Sequence, residues 1–152
     1  SPDDAALKLK MQPFQKIGNY AKVDCHRGIR QGVPEVIYGE GKAKEHILGI
    51  AKAMLKSKQQ TVLITRLTEE AAEYIKAELP LNYNSMARIG IIGDLPEPSG
   101  KGRIVIATGG TSDIPVAEEA AMTAEVLGNN VLRLYDVVFR VYTGCLQIWI
   151  PS

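Results

Sequence analysis

The chain has 152 residues, 45% of them hydrophobic and 23% charged, which suits one globular domain or two very small ones with enough apolar material for a core. Its 18 basic and 17 acidic residues leave a formal net charge of +1 with no polybasic run, which argues against nucleic acid as a partner. No apolar stretch approaches the roughly 20 residues of a membrane-spanning helix and no signal-type segment opens the chain, so the expectation is a cytoplasmic protein with no membrane partner, an organelle staying open because the chain begins at Ser1.

Residues 1–20 are polar and weakly patterned and read as an N-terminal arm or a short helix. A basic, glycine-punctuated segment runs from Ala21 to Glu35, and the first ordered element is a short strand at Val36-Ile37-Tyr38. From Ala43 to Leu55, Ile47, Ile50, Ala51 and Met54 recur at helical spacing. Thr61 to Thr65 is a strand, and Thr68 with Glu69, Glu70 and Ala71 opens a second helix that carries Ala72, Ile75 and Leu79 on one side and ends near Pro80. Arg88 to Ile92 is a third strand. Gly93 to Gly102, with Pro96 and Pro98, reads as a linker. Beyond it come a strand at Arg103 to Ala107, a helix at Ile114 to Leu127 and a strand at Asn130 to Tyr135. Strands alternating with helices imply an α/β fold with a mostly parallel sheet, because parallel neighbours need crossovers. Val137 to Ile150, rich in β-branched and aromatic residues, is expected as a strand or a strand pair turning near Thr143-Gly144. The chain thus divides into an arm at 1–20, an α/β unit at 21–100 and a second unit at 101–152.

The strongest candidate for chemistry is the turn Thr108-Gly109-Gly110-Thr111-Ser112-Asp113, set between a strand and a helix. Glycine allows close approach of a ligand to the backbone, and the first turn of a helix offers unpaired N–H donors and partial positive charge to an anion. Thr111, Ser112 or Asp113 can cap that helix, and Pro115 suits its first turn. An ordinary strand-to-helix connection explains the same residues equally well. Arg27, Arg30 and Lys42 flank glycines and suit phosphates or carboxylates, with a solvated charged face as the alternative. Other patterns fail. Gly41-Lys42 lacks both the leading glycine and the following Ser or Thr of a Walker A loop. Asp24, Cys25 and His26 are adjacent, which serves neither metal ligation nor thiol activation, so no metal ligands are assigned. His46 reads as a surface histidine. Cys25 and Cys145 form neither a disulfide framework nor a Cys-x-x-Cys pair and are expected as free thiols.

Two separated blocks then carry a resemblance. His26-Arg27-Gly28-Ile29-Arg30-Gln31-Gly32-Val33-Pro34-Glu35-Val36-Ile37-Tyr38-Gly39-Glu40-Gly41-Lys42, followed by Gly110-Thr111-Ser112-Asp113-Ile114-Pro115-Val116-Ala117-Glu118-Glu119-Ala120, resembles the LarB family of nickel-pincer nucleotide biosynthesis, over roughly residues 19 to 136. The second block also resembles the Ser-Asp loop of PurE, the aminoimidazole ribonucleotide carboxylases. The resemblance implies a three-layer α/β fold with a PurE-like, flavodoxin-like second unit and a homo-oligomer. It further implies carboxylation of the pyridinium ring of nicotinic acid adenine dinucleotide by CO2 or bicarbonate and hydrolysis of its phosphoanhydride with magnesium, giving pyridinium-3,5-biscarboxylate mononucleotide and AMP. Gly109, Gly110, Thr111, Ser112 and Asp113 would hold an anionic group of the nucleotide, Arg27, Arg30 and Lys42 the remaining phosphate charge, and Asp24 and Glu35 would orient those cations or help place magnesium. After Asp136 the sequence departs from the family, Cys145 does not sit in the family's cysteine motif, and the second unit reads as incomplete; a truncated form without turnover is the expectation, with a purine-pathway carboxylase or a noncatalytic nucleotide-binding, oligomer-modulating protein as alternatives.

Overall fold

The computed structural model describes residues 14–17, 21–24, 35–57, 59–142 and 145–149, with side chains described for 35–57 and 59–137. Among these, β1 (Phe14–Ile17) and β2 (Ala21–Asp24) form an antiparallel pair from Phe14↔Asp24 to Ile17↔Ala21 that lies against the first helix. The sequence predicts an arm or a short helix over residues 1–20 and no ordered element before Val36, and both strands depart from that. Phe14 and Ile17 stand three apart, which imitates helical spacing, and Gln15-Lys16 between them breaks the alternation of a strand.

The central sheet has the order β3-β4-β6-β5, where β3 is Val36–Tyr38, β4 is Val62–Thr65, β5 is Leu81–Asn84 and β6 is Ile89–Ile92. Helix α1 (Lys44–Lys56) is the crossover between the parallel strands β3 and β4, and it turns Ile47, Leu48, Ile50, Ala51 and Met54 inward. Glu45 in its first turn and Lys56 in its last complement the helix dipole. Helix α2 (Glu69–Lys76) opens at Thr68, whose Oγ1 accepts from the Ala71 N–H at 3.2 Å, and buries Ala71, Ala72 and Ile75. After it the chain makes a hairpin, β5 against β6, with both β5–β6 and β4–β6 antiparallel. The α/β class and its crossover-linked parallel pairs are as expected, whereas β5 was not foreseen. Its sequence Leu81-Asn82-Tyr83-Asn84 carries two poor strand formers and buries only Leu81.

Side chains of β4 alternate between two covers. Val62 and Ile64 join α1 and α2 in one core, together with Ile37, Leu67, Leu81 and Ile92. Leu63, with Ala87, Ile89 and Ile91, faces the other way and meets Val126 and Met122 of α3 (Ile114–Val126). The result is three layers, and the third comes from beyond the proline-rich linker. Helix α3 also connects β7 (Arg103–Ala107) to the parallel β8 (Asn130–Leu134), in register from Arg103↔Asn130 to Ala107↔Leu134. Arg133 of β8 fastens this pair to the helix: its Nη groups donate to both carboxylate oxygens of Glu125, at 2.5 and 2.9 Å, and its Nε donates to Glu118 at 3.0 Å. Ile104, Val105 and Leu132 stay exposed on these strands. Finally β9 (Val138–Tyr142) and β10 (Cys145–Trp149) form the antiparallel pair expected of the tail, from Val138↔Trp149 to Tyr142↔Cys145.

At the end of β6 the chain passes so close to the segment leading into β4 that a Cβ on Gly93 would stand 2.0 Å from the Gln60 carbonyl oxygen, and Gly93 has φ 93°. Gly102 has φ 89° but open space around it. Gly93→Ala is therefore expected to lower the unfolding free energy by at least ~2 kcal/mol and Gly102→Ala by only about 1 kcal/mol. Urea denaturation midpoints at unchanged slope measure both.

Candidate functional site

Ligands of open α/β sheets gather outside the carboxyl ends of parallel strands. Here β3, β4 and β7 each end at such an edge, and the residues just beyond them are the candidates.

Beyond β7, Thr108 is buried and commits three polar groups to holding the mouth of the loop. Its N–H donates to the Leu134 carbonyl at 3.0 Å, its carbonyl accepts from Val137 at 2.9 Å, and its Oγ1 accepts from the Asp136 N–H at 3.1 Å. Asp136 adopts φ 56° where the chain leaves β8. Gly109 and Gly110 follow. A Cβ on Gly109 would find the Val137 carbonyl oxygen at an ordinary 3.9 Å, and Gly110 is extended, so neither glycine is required by a left-handed backbone or by crowding. Their open surface is left to whatever lies above the turn. Thr111–Asp113 form one 3₁₀ turn leading into α3, with Pro115 in the first turn of the helix as expected. The expected side-chain cap is absent: Gly110 and Asp113 occupy the two cap positions, neither makes a side-chain cap hydrogen bond, and Thr111, Ser112 and Asp113 are exposed. The 3₁₀ turn explains this, because it places the three side chains ahead of the α-helix rather than over its first N–H groups. The 3₁₀ turn supplies its own acceptors there, since the Ile114 N–H donates to the Thr111 carbonyl and the Asp113 N–H to the Gly110 carbonyl at 3.4 Å.

Beyond β3, the turn Gly39-Glu40-Gly41 brings Lys42 back over its own strand, where Nζ donates to the Tyr38 carbonyl at 2.7 Å and lies 5.8 Å from the Tyr38 ring. Gly39 is needed here, since a Cβ would stand 2.9 Å from the Thr65 carbonyl oxygen that accepts the Gly39 N–H. The Tyr38 hydroxyl donates to Glu40. That bond, followed by desolvation and the charges of Glu40 and Glu119, holds the Tyr38 hydroxyl pKa above its ordinary value, and it holds the Glu40 carboxyl pKa low, aided by Arg66 and Arg88. Next to Lys42, a cavity of about 280 Å³ opens between the first turns of α1 and α2, spanned by the Lys44–Glu70 ion pair at 2.6 Å.

Beyond β4 stands Arg66, and opposite it, just before the antiparallel β6, stands Arg88. Both have left-handed backbones, φ 55° and 53°. Arg66 Nε donates to Glu119 of α3 at 2.9 Å, which joins the edge of the first sheet to the helix whose start is the glycine turn. Five residues at the helical rise put Glu119 roughly 7–8 Å along the axis from Ile114. The glycine turn and the Tyr38–Lys42 edge are thus neighbours through α3.

Not every sequence candidate joins them. Glu35 precedes β3 and Lys42 follows it, so the strand separates the two. Asp24 ends β2 with its side chain outside the described residues, and Arg27 and Arg30 lie outside them altogether. Conversely, Arg66, Arg88, Glu40 and Glu119 join this edge without being candidates on sequence grounds, whereas Thr108 belongs to the turn that the sequence marks. Only the placement of Arg66 one residue past a strand signalled a carboxyl-edge position, and for Arg88 no such signal exists, because it lies before its strand.

Residues 14–94 match the LarB/PurE-like N-terminal domain. An uncharacterised protein of Methanocaldococcus jannaschii is 34% identical over 146 residues, an alignment covering 90% of this chain and 56% of that protein, so the chain spans just over half the length of this relative. Among the described residues no helix is long and apolar enough to cross a membrane. With more than half of its residues inside the matched domain, the chain belongs to the LarB/PurE-like N-terminal domain family, a carboxylase-related group.

Proposed function

We propose that this chain carries the nucleotide-recognition edge of a LarB-like carboxylase and hydrolase acting on nicotinic acid adenine dinucleotide. The observation that carries the reading is the glycine turn: two glycines that the backbone does not require, above an uncapped helix start, held in place by the buried Thr108. Backbone donors of that kind suit a ribosyl phosphate or a carboxylate, and Asp113 suits a ribose hydroxyl. Lys42 contributes cationic charge from the first sheet, and the resemblance adds Arg27 and Arg30 to it. In the overall reaction a ring C–H gives way to a bond to CO2 with loss of a proton, and water splits the phosphoanhydride to release AMP.

Magnesium belongs to this reading through the family. Among the described residues no group of three His, Cys, Asp or Glu is gathered for a metal. Magnesium does not need one, since it is commonly held by one or two carboxylates and the substrate's own phosphates. The resemblance gives that place to Asp24 and Glu35, and the ion would supply charge neutralisation at the phosphates. Self-association belongs to the same reading, with the exposed Ile104, Val105 and Leu132 as its surface.

A purine-pathway carboxylase is the second reading, favoured by the Thr111-Ser112-Asp113 loop alone. The two are told apart by ligand. Titration calorimetry should show weak binding of nicotinic acid adenine dinucleotide, and Asp113→Ala should weaken it about tenfold, the worth of a hydrogen bond involving a charged group. Because Asp113 caps nothing, its melting temperature should stay near wild type; a large fall would mean that Asp113 serves the fold. No binding of the dinucleotide or of its mononucleotide halves at millimolar concentration ends the proposal, and selective binding of aminoimidazole ribonucleotide transfers it to the second reading.

Turnover is a separate matter, because covalent attack on a pyridinium ring needs a positioned thiolate and Cys145 lies outside the family's cysteine motif. Incubated with the dinucleotide, bicarbonate and magnesium, this chain should form no biscarboxylated mononucleotide and no AMP above background by mass spectrometry. Product made by wild type and lost in Cys145→Ala would instead identify Cys145 as the nucleophile.

A further inference from the structure

Arg66 and Arg88 have no counterpart among the residues assigned above to nucleotide binding, and their geometry is costly. Non-glycine residues in the left-handed region are strained by about 1–3 kcal/mol and persist where surroundings over-determine them. Here each holds the other. The Arg88 carbonyl accepts the Leu67 N–H at 2.8 Å, and Arg88 Nη2 donates to the Arg66 carbonyl at 3.4 Å. Both side chains thereby reach the same edge, where Glu40 feels both positive charges. Their hydrogen-bonding capacity is mostly unspent. Arg66 uses Nε on Glu119, and Arg88 uses one N–H on a carbonyl; among the described residues the Nη groups of Arg66 and the Nε and Nη1 of Arg88 meet no acceptor. No carboxylate is ion-paired with Arg88 among these residues. Two half-buried arginines with free donors at one sheet edge suit the oxygens of a phosphoanhydride, which a guanidinium fork can bind bidentately.

We infer that Arg66 and Arg88 form a diphosphate-binding pair, a second anion subsite beside the glycine turn, with Glu40 as a nearby negative charge that opposes an anion there. This rests on the nucleotide reading for the identity of the ligand, but not for the existence of the subsite. A diphosphate at the pair and a sugar at the turn would be two parts of one dinucleotide, bridged along the first turns of α3.

The test uses inorganic pyrophosphate and nicotinic acid adenine dinucleotide as probes in calorimetry on the whole chain. Arg66→Asn and Arg88→Asn are suitable because asparagine tolerates the left-handed backbone while removing the charge. Each should raise the Kd for pyrophosphate at least tenfold and that for the dinucleotide by a similar factor, with Arg88→Lys recovering part of the loss. Glu40→Gln should lower the Kd for pyrophosphate severalfold. That last shift is the one a purely structural arginine pair would not produce. Pyrophosphate binding unchanged in both Asn variants, or absent from wild type, overturns the inference, and so does a Glu40→Gln chain that binds no tighter. If both Asn variants lose their cooperative melting, Arg88→Lys and Glu40→Gln decide alone: with Kd values equal to wild type in both, the pair is not a subsite. Pyrophosphate bound through the arginines with no dinucleotide binding would keep the subsite and end the nucleotide proposal; dinucleotide bound equally by wild type and both Asn variants would do the reverse.

Discussion

The packing of α3 against the far face of the central sheet is the contact from which the rest of the molecule takes its arrangement. Leu63, Ile89 and Ile91 project to that face, and Val126 with Met122 covers them. Burial of an aliphatic side chain of this size is worth about 1.5–3 kcal/mol. Without α3 the sheet would be covered on one side only, although β4 is apolar throughout Val62-Leu63-Ile64 and therefore built for burial on both. The same contact fixes the C-terminal half of α3, and so the direction in which its first turn points.

Polar contacts then orient what the apolar contact holds. Glu118 and Glu119 are consecutive on α3 and lie about 100° apart around its axis. Glu118 accepts from Arg133 and from the Tyr135 hydroxyl at 2.9 Å, on the side of β8, while Glu119 accepts from Arg66 of the first sheet. Desolvation first, and then the hydrogen bond to Glu118, raise the Tyr135 hydroxyl pKa, so the phenol stays a donor to that carboxylate. Arg66–Glu119 is partly exposed, with side-chain accessibilities of 41% and 21%, and such a pair contributes about 0–1 kcal/mol. Its role is direction rather than stability: it sets the rotation of α3 about an axis that the apolar contact has already positioned.

The elements legible in the sequence are those that own a full period. α1 shows four inward positions over two turns, α2 its Thr68 start, and β4, β6 and β7 are rich in Ile, Val and Leu. β1, β2 and β5 are four residues each, and their pairing depends on a partner strand rather than on their own pattern. At the site, the glycine turn and Lys42 were visible because glycine and charge are local signals. Arg66, Arg88 and Glu119 were not, for each matters only through what it meets: Arg88 sits 22 residues from the carbonyl it binds, and Glu119 is 53 residues from Arg66. A single chain reports composition at a position, not the company that a long-range contact brings to it.

Helix starts along this edge differ in a way that bears on what the edge is for. α2 begins with a threonine whose hydroxyl closes one of its orphan N–H groups, so the chain uses such caps where stability alone is at stake. α1 begins after Ala43, which has no capping side chain, and α3 begins after a 3₁₀ turn whose hydroxyl and carboxylate groups leave the helix uncapped. Each forgone cap gives up about 1 kcal/mol. Both uncapped starts adjoin residues assigned to anion binding, Lys42 directly before Ala43 and the glycine pair directly before Thr111. At α3 the 3₁₀ turn takes the place of a side-chain cap, because the Ile114 N–H donates to the Thr111 carbonyl and Pro115 carries no N–H.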